Sequence, residues 1–246
     1  QEKNFKLRSD KNIKKKNFIK NGQIIFKDYS VKYRTYTDLV LKNINCTINP
    51  GEKIGIVGRT GSGKTTLCLA LFRILEASKG KILIDDVDIS KIDLKLLRDN
   101  ISLIPQDPKL IDGTLRENID PLGEYSDDEI VFQLNLIGLA YLIEDDAGLD
   151  VEIEADGSNF SVGEKQLICI TRAMLKKSKI IIIDEANSSL DYKTDMLIQK
   201  CLMKSFQGCT LITIAHKIKT VIEYDRIFVL EEGKSKIGRA SCRERA

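Results

Sequence analysis

An α/β fold built on a mainly parallel core sheet is the class this sequence predicts, and three features predict it. Short apolar runs alternate with helix-like stretches along most of the chain, the pattern of parallel strands joined by crossover helices. One junction carries an apolar run at 54–57 into a Leu- and Ala-rich helix through Gly58-Arg-Thr-Gly-Ser-Gly63-Lys64-Thr65. A second apolar run, Ile180-Ile-Ile-Ile183, ends in the carboxylates Asp184 and Glu185.

In chain order, residues 1–21 are polar, irregular and basic. Short strands are expected at 24–26, 29–33 and 39–48, an N-terminal antiparallel β subdomain. Asn49-Pro50-Gly51-Glu52 follows as a turn by composition. The glycine loop then leads into a helix expected over about 64–75. Strands at 81–84 and 101–104 come next. The acidic, Leu-rich stretch 126–143 has helical spacing and belongs to a mostly helical insert near 110–160. A helix at about 163–177, the strand 180–183 and a helix at about 193–206 follow. A strand at 210–214, a short helix and a last strand at 226–230 complete the order. The sequence contains no internal repeat.

Length and composition narrow the function classes. The 246 residues suffice for one large domain or two small ones, and 42% hydrophobic with 6% aromatic residues suits an α/β protein. No apolar run reaches the roughly 18 residues of a membrane span. The first residue is Gln1 rather than an initiator methionine, which reads as a piece of a longer protein. The formal charge of +3 is concentrated at the ends. Leaving out 1–20 (eight basic, two acidic) and 237–246 (three basic, one acidic) leaves 28 basic against 33 acidic side chains, a net of −5. A nucleic-acid surface is therefore not expected on the body of the domain. The basic N-terminal run reads as a solvated linker, with anionic headgroups as the other surface it suits. The six cysteines (46, 68, 169, 201, 209 and 242) include no C-x-x-C pair and read as reduced thiols of a cytosolic domain.

The glycine stretch fits G-x-x-x-x-G-K-[ST] in its expected setting between strand and helix, the phosphate loop of P-loop NTPases. Its glycines let the backbone curl with N–H groups pointing inward, where the helix N-terminus adds to their pull on an anion. Gly58, Thr60, Gly61, Ser62, Gly63, Lys64, Thr65 and Thr66 are the expected nucleotide-holding residues. Lys64 would reach the terminal phosphates and the Thr65 hydroxyl would ligate Mg²⁺. A plain glycine turn is the alternative. Ligands collect at the carboxyl ends of strands in open α/β sheets. There Asp184 is placed to hold Mg²⁺ through water, and Glu185 to polarise the attacking water. Two surface acids capping a turn is the other reading. His216, the single histidine, ends the 210–215 run and would face the γ-phosphate unless it is structural. Gln106, in Ile104-Pro-Gln-Asp-Pro108, also follows a strand; its amide would ligate Mg²⁺, and the alternative is a plain loop residue between two prolines. Asn159-Phe-Ser161-Val-Gly163-Glu164-Lys-Gln166 opens a helix with a capping box and an exposed helix start, a second anion site. Two phosphate grips in one domain point to two nucleotides sandwiched between paired domains.

Taken together, Tyr33, the phosphate loop, Gln106, the helix start at Ser161–Gln166, Asp184–Glu185, Ser189-Leu-Asp191 and His216 fall in an order that resembles the ATP-binding cassette (ABC) ATPases. The resemblance covers about 23–233. It implies a P-loop NTPase fold of the ABC type, with ATP and Mg²⁺ as cofactors. It further implies that Tyr33 stacks on adenine and that Gln106 couples the site to transmembrane segments. Ser161, Gly163 and Glu164 would meet the ATP of a partner domain, and Asp191 would help join the halves. Ile104-Pro-Gln-Asp-Pro108, Gly113-Thr-Leu-Arg-Glu-Asn-Ile-Asp-Pro121 and the Ser-Val-Gly helix start resemble the C subfamily, the multidrug-resistance-associated group. The presence of Glu185 resembles its second nucleotide-binding domain. Phe160 for the usual Leu, Glu164 for the usual Gln and Ser189 for a small residue depart from the pattern.

The resemblance implies an ATP-hydrolysing domain that powers membrane transport, of organic anions or conjugates in this group. Its expected partners are a second ABC ATPase domain and transmembrane domains outside this sequence, and its expected location is the cytoplasmic face of a membrane. ATP gating of a channel, a soluble ABC ATPase without membrane helices, and a module that holds ATP without hydrolysing it are the alternatives. Residues 1–21 are expected to lead in from a membrane domain and 22–236 to form the ATPase domain. Positions 237–246, with Ile237-Gly-Arg-Ala-Ser-Cys-Arg-Glu-Arg245, resemble the conceptual translation of a sequencing adapter.

Overall fold

A computed structural model describes residues 18–184, 192–215 and 218–239. The chain groups into two compact units: 1–102 with 179–182 and 208–246, and 103–178 with 183–207.

The first unit begins with β1 (Ile24–Val31), β2 (Leu41–Ile48) and β3 (Lys53–Gly58). The stretches 24–26 and 29–33 are not two strands. They form one strand with a bulge, because Asp28 takes a left-handed φ of 48° and the pairing to β2 jumps from Phe26↔Cys46 to Tyr29↔Ile44. Asp28 and Asn45 stabilise that bulge by exchanging two 2.9 Å hydrogen bonds. β1 stops at Val31, so Tyr33 lies in the turn after it.

Helix α1 (Lys64–Leu71) is also shorter than its apolar pattern suggests. Arg73 turns left-handed at φ 49°, and its buried guanidinium donates to the carbonyls of Ile89 (2.9 Å) and Ile92 (2.6 Å) and to Glu76 (2.9 Å). A buried guanidinium requires those partners, and reaching them takes the chain off the helical path. Strand β4 (Lys79–Ile84) turns through Asp85 and Asp86, both at positive φ, into the short β5 (Val87–Asp88). Helix α2 (Leu94–Asp99) follows, its N-terminus capped by Asp93 through the N–H groups of Lys95 and Leu96. Neither β5 nor α2 was expected.

The chain runs through β6 (Ile101–Ile104) into the second unit. Here β7 (Gly113–Thr114) precedes α3 (Leu115–Ile119) and α4 (Asp127–Leu136), both started by full capping boxes, Thr114–Glu117 and Ser126–Glu129. β8 (Glu152–Ile153) pairs antiparallel with β7, so the insert is helical with a small ribbon at its base. Helix α5 (Val162–Lys176) buries Leu167, Ile168, Ile170 and Leu175, and it ends where Lys177 turns left-handed. β9 (Ile180–Asp184) and α6 (Tyr192–Ser205) match their expected positions.

β10 (Thr210–Ile214), α7 (Ile218–Val221), β11 (Arg226–Glu231) and β12 (Lys234–Arg239) complete the first unit. One sheet runs in the order β12-β11-β3-β10-β9-β6. In it β3 lies parallel to both β10 and β11, while β12 returns antiparallel. The second sheet, β2-β1-β4-β5, is antiparallel. The apolar faces of the two sheets and of α1 share one core. Ile24, Leu41, Ile54, Leu71, Ile180, Ile182, Ile212 and Ile214 in it are essentially inaccessible to solvent. Within the six-stranded sheet, β12 is the strand that the expected order lacks. Among the described residues no helix is long and apolar enough to cross a membrane.

Candidate nucleotide-binding site

β3 lies between β10 and β11 and delivers the chain to Gly58, which pairs with Leu230. A Cβ on Gly58 would stand 2.3 Å from the Leu230 carbonyl oxygen and 2.5 Å from Ser62 Oγ, so the loop passes β11 only with glycine there. Gly63 caps α1 at φ 106°, a backbone state that side chains resist. Around Gly61 nothing lies within 4 Å of an added Cβ, leaving the mouth of the loop open.

The loop is closed by hydrogen bonds from Ser62 N–H to Arg59 O (3.1 Å) and from Gly233 N–H to Ser62 O (3.2 Å). Helix α1 makes its first turn with Leu67 N–H to Gly63 O, so the N–H groups ahead of it face the loop without an intrahelical carbonyl. Lys64 is only 6% exposed, and its ammonium donates to the carbonyls of Gly58 (2.7 Å) and Arg59 (3.2 Å). Ser62 Oγ is buried with no hydrogen-bond partner among the described residues. A cation tied to carbonyls, an orphaned hydroxyl and a helix N-terminus around open space are donors arranged for an anion. The loop fits a nucleotide's phosphates.

Tyr33 is half exposed and its hydroxyl shares a 3.1 Å hydrogen bond with Thr66 Oγ1, which fixes the ring beside the start of α1. Thr65 is exposed at the first turn. The turn between β11 and β12, with Glu232 and Gly233 at positive φ, supports the loop from behind: Gly233 accepts from Lys42 N–H (2.7 Å). A Cβ on Gly233 would fall 2.0 Å from the Val40 carbonyl oxygen. Sequence reasoning missed this support, because Lys234-Ser-Lys-Ile-Gly-Arg239 carries a single large apolar residue and Glu-Gly is not one of the usual hairpin pairs.

In the second unit, Gln106 is exposed after β6 and Asp184 is half-buried as the last residue of β9. Ser161 caps α5, with Gly163 buried in the first turn. The Glu164 carboxylate accepts from Ser161 N–H (2.7 Å) and Ser161 Oγ–H (2.6 Å), and Tyr141 O–H donates to its other oxygen. Burial works to raise the Glu164 pKa, but the Ser161 and Tyr141 hydrogen bonds outweigh it and hold the carboxyl below its ordinary value. The Tyr141 phenol is pushed up to about 12, by burial first and by Glu164 second.

Arg172, one turn from the end of α5, donates to the Asn118 carbonyl and side chain and to Lys109 O. Asn118, itself buried, holds Ile111 and Thr114. Helix α5 is thereby tied to the loop that begins at Gln106. Arg172 was not singled out in the sequence, and Asn118 figured there only within the Gly113–Pro121 stretch. Glu185, Asp191 and His216 lie outside the described residues.

The sequence profile of the ABC transporter family matches residues 41–188, more than half of the chain. ATP-binding cassette sub-family C member 3 of Rattus norvegicus is 46% identical over 215 residues, covering 87% of this chain and 14% of that protein. ABC transporter C family member 9 of Arabidopsis thaliana is 50% identical over 214 residues, with coverages of 87% and 14%. Metal resistance protein YCF1 of Saccharomyces cerevisiae is 48% identical over 215 residues, again with 87% and 14%. The chain thus spans about one-seventh of the length of these relatives.

Proposed function

This chain belongs to the ABC transporter family as its ATP-binding, ATP-hydrolysing domain, and from that premise we propose that it is the second nucleotide-binding domain of a C-type transporter. The observation that carries the ATP-binding part of the reading is the phosphate loop. Buried Lys64, orphaned Ser62 Oγ and the start of α1 surround open space with donors arranged for an anionic ligand.

ATP binds with its adenine on Tyr33 and its phosphates in the loop formed by Gly58, Thr60, Gly61, Ser62, Gly63, Lys64, Thr65 and Thr66. Lys64 leaves the loop carbonyls for the terminal phosphates. Thr65 and Gln106, with Asp184 through water, are the residues that would hold Mg²⁺, whose charge offsets that of the phosphates when it is bound. Glu185 orients the attacking water and draws its proton, and His216 steadies the γ-phosphate as it departs. Ser161 and Gly163 at the start of α5 close on the ATP of a partner ABC ATPase domain, with Asp191 joining the halves.

In this reading residues 1–21 lead in from a membrane domain and the ATPase domain sits on the cytoplasmic face. Closing and reopening of the pair moves transmembrane segments and with them a substrate, for which organic anions or conjugates are the class proposed. No nucleic-acid partner is invoked. Glu185→Gln tests the assignment: ATP binding persists and turnover is lost. Undiminished hydrolysis in that variant would remove Glu185 from its role.

A further inference from the structure

Glu164 stands where the family pattern has glutamine, and its surroundings determine what that acid does. Both donors of Ser161 end on one oxygen of Glu164, the N–H at 2.7 Å and the hydroxyl at 2.6 Å. The Ser161 oxygen in turn accepts the Glu164 N–H at 3.3 Å. The Ser161 proton is therefore committed to a carboxylate, a stronger acceptor than a neutral amide. The other Glu164 oxygen takes the hydroxyl of Tyr141, a residue 23 positions earlier that is 52% exposed and has no other described hydrogen bond.

We propose that Tyr141 is a positioning residue that sets how readily Ser161 gives its hydroxyl to a partner domain's nucleotide, by sharing the charge of Glu164. The inference rests on the reading that Ser161 grips that nucleotide. For Ser161 Oγ–H to turn to a terminal phosphate it must leave Glu164. The carboxylate then keeps two donors, the Ser161 N–H and the Tyr141 O–H, and so stays hydrogen-bonded while the serine proton moves. Without Tyr141 the carboxylate holds Ser161 harder, and an uncompensated negative charge stands beside an incoming phosphate. With glutamine at 164 there is no charge to share, and Tyr141 loses its effect.

The test uses the full-length protein that contains this domain, in membrane vesicles, with Glu185→Gln present to stop turnover. The readout is the concentration of labelled ATP that half-saturates the nucleotide retained after rapid filtration. Binding of ATP to the 246-residue chain alone reports this domain's own loop and serves as the control. Tyr141→Phe raises the half-saturating concentration about two- to tenfold, the span that corresponds to one hydrogen bond. Glu164→Gln lowers it, and Tyr141→Phe added to Glu164→Gln changes it less than twofold. The control stays unchanged with Tyr141→Phe, because that substitution touches no residue of the loop.

Equal effects of Tyr141→Phe in the two backgrounds would overturn the proposal, as would no effect in either. Ser161→Ala separates the two levels. If it abolishes retention while Tyr141→Phe does nothing, only the role of Tyr141 falls. If Ser161→Ala also leaves retention intact, the grip itself falls and the inference with it.

Discussion

Asp85 clamps the entry of the chain. Its carboxylate accepts from four consecutive backbone amides, those of Lys20 (2.7 Å), Asn21 (2.8 Å), Gly22 (3.0 Å) and Gln23 (2.8 Å). Just before them Phe18 and Ile19 are buried in the core. A carboxylate that caps two helix amides contributes about 0.5–2 kcal/mol. Four amides on a partly exposed turn, which water would otherwise satisfy, bring this to about 2 kcal/mol rather than the several that buried charge-assisted bonds would give. The left-handed backbone at φ 46° adds about 1–2 kcal/mol against alanine and little against asparagine or glycine.

The expected order of destabilisation is therefore Asp85→Asn at about 1 kcal/mol, Asp85→Gly at about 2 and Asp85→Ala at about 3. Urea unfolding of the 246-residue chain measures it, and hydrogen exchange of the 20–23 amides shows whether the loss is local. The sign with pH follows from the site. Burial raises the Asp85 pKa but the four amides lower it further, so the folded value lies below the ordinary one near 3.9. The stabilisation is complete above about pH 5 and is lost as pH falls through the folded pKa, so the gap between wild type and Asp85→Asn narrows only below about pH 4. An Asp85→Ala chain within 0.5 kcal/mol of wild type, or with unchanged exchange at 20–23, would refute the clamp.

Gly58→Ala places a methyl 2.3 Å from the Leu230 carbonyl, so it loses ATP binding, read by calorimetry, together with about 2 kcal/mol or more of stability. Lys64→Ala loses ATP binding with little change in melting temperature, since the ammonium bonds only to loop carbonyls among the described residues. Ile182→Ala, in the wholly buried centre of β9, costs about 2–5 kcal/mol in urea unfolding. Tyr29→Phe removes a buried hydroxyl with no partner among the described residues, so stability holds or rises by up to about 1 kcal/mol; a marked loss would mean that the hydroxyl is bonded in solution.

Much of the site was legible because its chemistry is local. The phosphate loop needs glycines at fixed offsets from a strand and a helix, and the capping box at Ser161 and Glu164 spans three residues. Such contacts depend on neighbours in sequence, so Gly58–Thr66, α5 and β9 could be placed from residue types alone. What the sequence could not decide are contacts whose members lie far apart along the chain. The Asp85 clamp reaches back more than 60 residues, Arg172 reaches Asn118 across 54, and Gly233 supports Ser62, 171 positions earlier. A guanidinium such as that of Arg73 ends a helix only when the fold buries it beside accepting carbonyls. The same residue on a surface would have let the apolar pattern run on to 75. Local backbone chemistry determined what this chain binds; tertiary packing decided which side chains hold that chemistry in place, because burial and charge pairing exist only once distant segments meet.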